Sequence, residues 1–376
     1  MPGFELIDKK EKDAVNKVFK EGGILFAHGF DKVRKKFHVR EFETKCAKYF
    51  SAKYCLAVTS GTAAIKIGLK ALGVKPGDEV ITQAHNFIAT VEAILDLNAV
   101  PKIVNIDKSL NMDPNELKKI ITKKTKAVIP VHMLGVACEM TKIKNICRMK
   151  NVKILEDNCE AIGGKFKKQH LGTIGEIGAF SLDFGKMITT GEGGLILTNN
   201  KKYFKFCKEY HDHGHENNKK FPRGRDTKKI YGFNYRMTEL QGAIGKVQLS
   251  KLNFILKQNK LRYKILEKII SKEFKLREIP KKSNPSYDTF IFFVESKTEK
   301  YKALKAIKKC GFGTKNIPDA IQWHCSSFWN HALNKKEIKN SLKTKKILNA
   351  SIAIPINLKV SPKKYELLAK TILKSK

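Results

Sequence analysis

From about residue 55 the chain alternates short apolar runs with stretches in which apolar residues recur every three or four positions. The runs lie at 54–59, 79–84, 102–106, 126–132, 152–156, 178–183 and 194–198, and each has the length of a strand. They are apolar almost throughout, the pattern of strands buried on both faces. Between several of them lie helical patterns at 62–73, 86–97, 115–121 and 139–149; in the first, Ile65, Leu69 and Leu72 share one helix face. Strand and helix in turn predict an α/β fold, a mostly parallel central sheet between helices.

The pattern changes after residue 236. A long helix is predicted to about 270, with Leu240, Ile244, Leu252, Ile255 and Leu256 on its apolar side, followed by a strand at 288–295 and amphipathic helices at 299–309 and 363–374. This shift divides the chain into a large domain, 1–249, and a smaller α+β domain, 250–376. The first thirty or so residues hold a helix at 9–20 and then an irregular stretch, expected to pack on the second domain or on a partner subunit. There is no internal repeat or low-complexity linker.

A chain of 376 residues suits two domains, and 42% hydrophobic with 29% charged residues is ordinary for a soluble protein. No apolar run reaches the ~18 residues that span a membrane. The apolar stretch in the opening MPGFELIDKKEKD is too short for a signal peptide, so a cytoplasmic location is expected. None of the eight cysteines forms a Cys-x-x-Cys pair, and all are read as small buried hydrophobes. The net charge of +38 admits a nucleic-acid-binding protein on an enzyme-like fold. The excess, however, is mostly lysine spread along the whole chain, with no arginine-rich arm. It is read as surface composition, with no nucleic acid as partner, and as a positive field that gathers anionic reactants.

The stretch 154–199 carries the densest chemistry. Asp157 stands at the carboxyl end of a strand, the edge where open α/β sheets bind ligands. It either caps a turn or faces a protonated heterocyclic nitrogen. Lys186 follows the next strand, flanked by Phe184, Met187 and Ile188 and then by Thr189-Thr190-Gly191-Glu192-Gly193-Gly194. In such a confined setting burial would favour the free amine. No nucleotide phosphate loop occurs anywhere in the chain. Ser60-Gly61-Thr62 opens a helix whose first N–H groups make an anion site. Phe87 is either core or the cover of a flat ring. A lysine amine, a carboxylate, an anion-binding helix start and the Ser181 hydroxyl together match the needs of pyridoxal phosphate: a lysine for the Schiff base, an acid at the ring nitrogen, donors for the phosphate.

The order SGTAA, FIAT, ED-x-x-EAIGG, FS-x4-K-x2-TTGEGG, GFNYRMTELQGAIG and the late IPINL resembles the DegT/DnrJ/EryC1/StrS sugar aminotransferases over nearly the whole chain. The resemblance implies an aspartate-aminotransferase-like fold (pyridoxal-phosphate fold type I) and a homodimer with shared sites. It implies that Lys186 bonds the cofactor and shuttles a proton, that Asp157 meets the pyridinium, and that Phe87 stacks on the ring. Gly61, Thr62 and Ser181 would hold the phosphate, with Asn234 reaching it from the neighbouring subunit. Glu160 stands near the ring hydroxyl where the family usually has Gln or His; an acid there needs a proton or a cationic neighbour. Dehydratase-like members carry histidine in place of the lysine.

Within the family, MPGFEL, Phe30-Asp31-x-x-Arg34, His211-Asp212-His213-Gly214-His215-Glu216 and Trp323-His324 with Trp329-Asn330-His331 look like the branch that aminates the eight-carbon acid Kdo (8-oxo-Kdo to 8-amino-Kdo, for lipopolysaccharide). Most members act instead on nucleotide-linked keto sugars. Arg34, His213, His215 and Trp323 are the candidate substrate contacts and glutamate the expected amino donor. The histidine run either binds metal or lines a loop, and without a completing cysteine or acid no metal is expected. Trp323 and Trp329 suit a core equally well.

Overall fold

The computed structural model describes residues 2–218 and 220–376. All seven apolar runs form strands of one sheet: β1 (Tyr54–Val58), β2 (Glu79–Gln83), β3 (Val100–Val104), β4 (Thr125–Ile129), β5 (Lys153–Asp157), β6 (Ile177–Ser181) and β7 (Gly194–Thr198). Their order across the sheet is β1-β7-β6-β5-β4-β2-β3. β7 runs antiparallel to both neighbours, and the β3/β2, β2/β4, β4/β5 and β5/β6 pairs are parallel. The carboxyl ends of β1, β2, β4, β5 and β6 therefore share one edge.

The helices between strands are Gly61–Ala71, Ala89–Leu95, Pro114–Ile120 and Met140–Met149. The second is shorter than the 86–97 pattern predicts. Its would-be first turn bonds elsewhere: the N–H groups of Asn86 and Ile88 donate to the carbonyls of His324 (3.1 Å) and Trp323 (3.3 Å). A distant segment thus satisfies donors that a helix start cannot pair internally.

The long helix spans Glu239–Ile270, opened by a capping box between Thr238 and Gln241. The division at 249/250 falls inside it. Its first half packs on helix His38–Phe50, a helix that the sequence reading leaves unassigned. Glycine makes this approach possible, because a Cβ on Gly245 would stand 2.7 Å from the ring of Phe42. Its second half gives Tyr263, Leu266 and Ile270 to a separate core, with Phe290 and Phe292 of strand Thr289–Phe293 and Ile352 and Ile354 of strand Ser351–Pro355. That antiparallel pair is flanked by helices Lys297–Lys309 and Pro362–Leu373. Helix Lys9–Lys20 also lies on the long helix. Among the described residues no helix is long and apolar enough to cross a membrane.

Phe42 is fully buried between the long helix and β1. Phe42→Ala is expected to cost about 3–5 kcal/mol of stability, read as a lowered urea midpoint with unchanged slope.

Candidate active site

A cavity of about 410 Å³ opens at the carboxyl edge of the sheet, and Gly61, Phe87, Asp157, Ser181 and Lys186 all line it. Asp157 is the last residue of β5 and is buried. One carboxylate oxygen accepts the Cys159 N–H at 3.1 Å, the local turn bond that the capping reading expects. The other accepts the Thr90 hydroxyl at 2.7 Å, so the group is also fixed from a different helix.

Lys186 follows β6 in a tight turn, its N–H donating to the Asp183 carbonyl at 3.0 Å. Its own carbonyl accepts the N–H of Gly3 at 3.2 Å. A Cβ on Gly3 would collide with that oxygen, so the opening segment of the chain backs directly onto the lysine turn. Lys186 Nζ lies 3.8 Å from Glu160 Oε1. Glu160 accepts the Leu134 N–H (3.3 Å) and the Asn316 amide (3.3 and 3.4 Å). Burial alone would raise its carboxyl. Lys186, Lys315 and His324 with the Asn316 amide outweigh that and hold it well below the usual carboxylate range. The cationic neighbour demanded by an acid at this position is therefore present. Buried Lys315 loses from desolvation but gains more from Asp288, bonded at 2.6 Å, and from Glu160, so its ammonium is reinforced. Burial pushes the His324 imidazole down against the pull of Glu160.

Ser60 caps helix Gly61–Ala71 by accepting the Ala63 N–H at 3.1 Å, leaving the first N–H groups of the helix without intrahelical partners. A Cβ on Gly61 would lie 2.9 Å from both Cys159 Sγ and Ser181 Cβ, so only glycine lets this helix start come so close to β6. Thr62 is exposed beside it, and the Ser181 hydroxyl accepts the Asp183 N–H at 3.3 Å. Phe87 is 45% exposed, its ring 5.4 Å from that of His324; it is a wall of the cavity, not core. Cys159 departs from the expectation of a buried core thiol and lines the cavity.

The remaining candidates lie elsewhere in this chain. Asn234 is exposed and outside the cavity lining, on the segment that carries exposed Tyr231 and Phe233. Arg34 is buried, donating to the carbonyls of Gly29 and Ile24 and standing 3.8 Å from Glu239. His213 is exposed, and His215 lies 3.3 Å from Asp226. His211 points the other way, 3.2 Å from His28. The three histidines diverge, and among the described residues no group of three or more His, Cys, Asp or Glu is placed to hold a metal. Trp323 is exposed while its neighbour His324 lines the cavity; Trp329 is core. Lys315 and Asn316 are cavity residues that the sequence reading does not mention, while Thr90 and His324 appear in it only as parts of quoted motifs, with no role assigned.

The lysine amine, the pinned carboxylate and the glycine-opened helix start fit pyridoxal phosphate: an amine for its aldehyde, an acid for its ring nitrogen, N–H donors for its phosphate. Fold and site thus define a pyridoxal-phosphate protein of the aminotransferase type. The chain belongs to the DegT/DnrJ/EryC1/StrS aminotransferase family, whose model matches residues 7–372. It is 37% identical over 216 residues to the GDP-perosamine synthase of Caulobacter vibrioides, covering 57% of this chain and 56% of that one. Against the GDP-perosamine synthase of Escherichia coli O157:H7 it is 34% identical over 254 residues, 67% of this chain and 68% of the relative. The first of these matches spans little more than half of the relative's length. In fold it is similar to the sugar aminotransferase Spr1654 of Streptococcus pneumoniae in its PMP form, with a TM-score of 0.85 at 21% identity over 98% of this chain and 97% of the other.

Thr90→Val removes the one side-chain donor that Asp157 receives from another helix. A hydrogen bond to a charged group is worth about 1.5–3 kcal/mol, so turnover is expected to fall roughly 10- to 100-fold while circular dichroism stays unchanged; steady-state kinetics on the same preparation reads the loss.

Proposed function

We propose that this protein transfers an amino group from glutamate to a carbonyl carbon of a keto sugar. The observation that carries the reading is the convergence of Lys186 and Asp157 on one cavity from the ends of adjacent parallel strands. Pyridoxal phosphate supplies an aldehyde that takes up amino groups and a protonated ring that draws electrons from the neighbouring carbon. Lys186 would hold the cofactor through its amine, and the same amine is placed to carry a proton between the substrate carbon and the cofactor carbon beside it. Asp157, held in place by the Thr90 hydroxyl and the Cys159 N–H, would face the ring nitrogen. The N–H groups of Gly61 and Thr62 and the Ser181 hydroxyl donate to the phosphate, and Phe87 covers the ring. Glu160 faces Lys186 and would stand near the ring hydroxyl. Two copies pair so that Asn234 of each reaches the other's phosphate; its exposure beside the bare rings of Tyr231 and Phe233 supports this.

For the sugar, the reading is 8-oxo-Kdo. Its support is the Trp323-His324 segment, which lies at the cavity through His324, together with the MPGFEL motif, whose Gly3 packs behind Lys186. The perosamine synthase relatives favour a second reading, a nucleotide-linked 4-keto-6-deoxyhexose. Arg34, His213 and His215 would contact either sugar only if it extends beyond the cavity or if a second copy brings them to it.

The purified protein is expected to be yellow, to lose its violet absorption in Lys186→Ala, and to convert its cofactor to the amine form with glutamate alone. Offered 8-oxo-Kdo and a keto-deoxyhexose nucleotide in parallel, it should aminate the former. Turnover of the nucleotide sugar alone moves the assignment to the second reading, and a wild type with neither chromophore nor glutamate half-reaction ends both.

A further inference from the structure

After β4 the chain reverses at Met133–Gly135, and there Leu134 (φ +49) and Gly135 (φ +80) both sit in the left-handed region. Leucine rarely adopts that conformation, so the turn has to be held from outside. The group that holds it is Arg277, whose side chain is buried. Its Nε donates to the Ser109 carbonyl at 2.6 Å, Nη1 to the Leu134 carbonyl at 3.2 Å, and Nη2 to the Met133 carbonyl at 2.8 Å and to Asn111 Oδ1 at 3.4 Å. Asn111 completes the brace, accepting the Met133 N–H at 3.1 Å and donating to the Val136 carbonyl at 2.9 Å. Among the described residues no carboxylate bonds this guanidinium. Burial brings it down to about 10, so it stays cationic at neutral pH with backbone carbonyls as its main partners. Its own N–H donates to Ile291 in strand Thr289–Phe293, which ties the brace to the carboxy-terminal sheet.

The turn held in this way meets the reaction centre twice. Met133 lines the cavity, and the Leu134 N–H donates to Glu160, whose other oxygen faces Lys186 at 3.8 Å. We propose that Arg277 is a positioning residue for the active site: by fixing the Met133–Leu134 turn it keeps the Glu160 carboxylate aimed at the Lys186 nitrogen. The inference rests on the reading of Lys186 as the cofactor-bearing lysine. A planar fork that reaches three carbonyls and one amide oxygen can do this; an ammonium of the same charge on a flexible stem cannot satisfy all four. The other charged and titratable groups around the pair are Lys315 with its partner Asp288, His324, His85, Cys159 and Asp157, all retained in the variants below.

The test is a pH titration of the violet absorption of the cofactor-loaded protein, with a thermal melt of each variant. An opposite charge this close favours the protonated nitrogen, so Glu160→Gln should lower the titration midpoint by about 1–3 pH units. Arg277→Lys keeps the charge but loses the fork, and should lower the midpoint in the same direction by a smaller amount. The double variant E160Q/R277K should titrate where E160Q does, because Arg277 acts through Glu160. Should R277K fail to fold, Asn111→Ser loosens the same turn with Arg277 intact and is expected to give the same masked shift. An R277K protein that melts early yet keeps the wild-type midpoint, shifts that add in the double variant, or an E160Q midpoint equal to wild type would each overturn the proposal. A wild type that shows no violet band with added cofactor would instead count against the reading of Lys186.

Discussion

A buried carboxylate is tolerated only where its surroundings replace the water it has lost, and Glu160 sets that requirement at the centre of this molecule. Its partners come from four places in the chain: the Leu134 N–H behind β4, Lys186 behind β6, and Lys315, Asn316 and His324 from the carboxy-terminal half. None is a sequence neighbour. The charge is therefore affordable only in the completed fold, and the completed fold sets Lys186 beside it. Removing one partner leaves an ion short of compensation in a low-dielectric wall, and the cost falls where geometry matters most.

The scaffold is arranged to hold these partners still. Parallel β4, β5 and β6 bring three turns to one edge, and each turn is tied from a different direction. The turn after β4 is braced by Arg277, the Asp157 carboxylate by Thr90, and the Lys186 turn by Gly3. The long helix Glu239–Ile270 links both cores, so the antiparallel carboxy-terminal pair to which the Arg277 backbone is bonded is fixed relative to the main sheet. Rigid elements with outside ties are what a site needs when an error of about 1 Å is costly.

Much of this was readable in the residues, and the reason is locality. Asp157, Ser181 and Lys186 lie at or just past the ends of apolar runs, and Gly61 lies just beyond another, so finding the strands finds them. The need of Glu160 for a cation was equally visible, because it follows from the chemistry of one side chain. Which cation was not. Lys315 is one lysine among many, and only the fold distinguishes it by burying it on Asp288. Asn316 carries no signal of its own, and Thr90, though the last residue of FIAT, shows its part only where its hydroxyl meets Asp157. The histidines 213 and 215 drew attention through the likeness of their segment to one branch of the family, yet the structured centre of their loop is Asp212, gripped by Arg223 at 2.5 and 2.6 Å and by Arg236 at 2.7 Å. Helix His38–Phe50 shows the opposite failure: Phe42, Cys46 and Phe50 recur every four residues, but charged residues around them mask the stripe.

The large positive charge and the site work on different length scales. Inside the cavity wall, charges are matched by opposite charges within a few ångströms: Lys186 by Glu160, Lys315 by Asp288. Such pairs fix geometry and are little screened, being partly or wholly out of solvent. The +38 excess resides in lysines spread along the whole chain, and its field is damped over about 8 Å at physiological salt. It therefore adds nothing to the geometry of the turn behind β4 or to the aim of Glu160. It acts before binding, by raising the encounter rate with anions, and glutamate, the cofactor phosphate and either proposed sugar are all anionic. Substituting surface lysines and substituting Arg277 thus probe separate things, capture in the first case and alignment in the second, although both remove a positive charge.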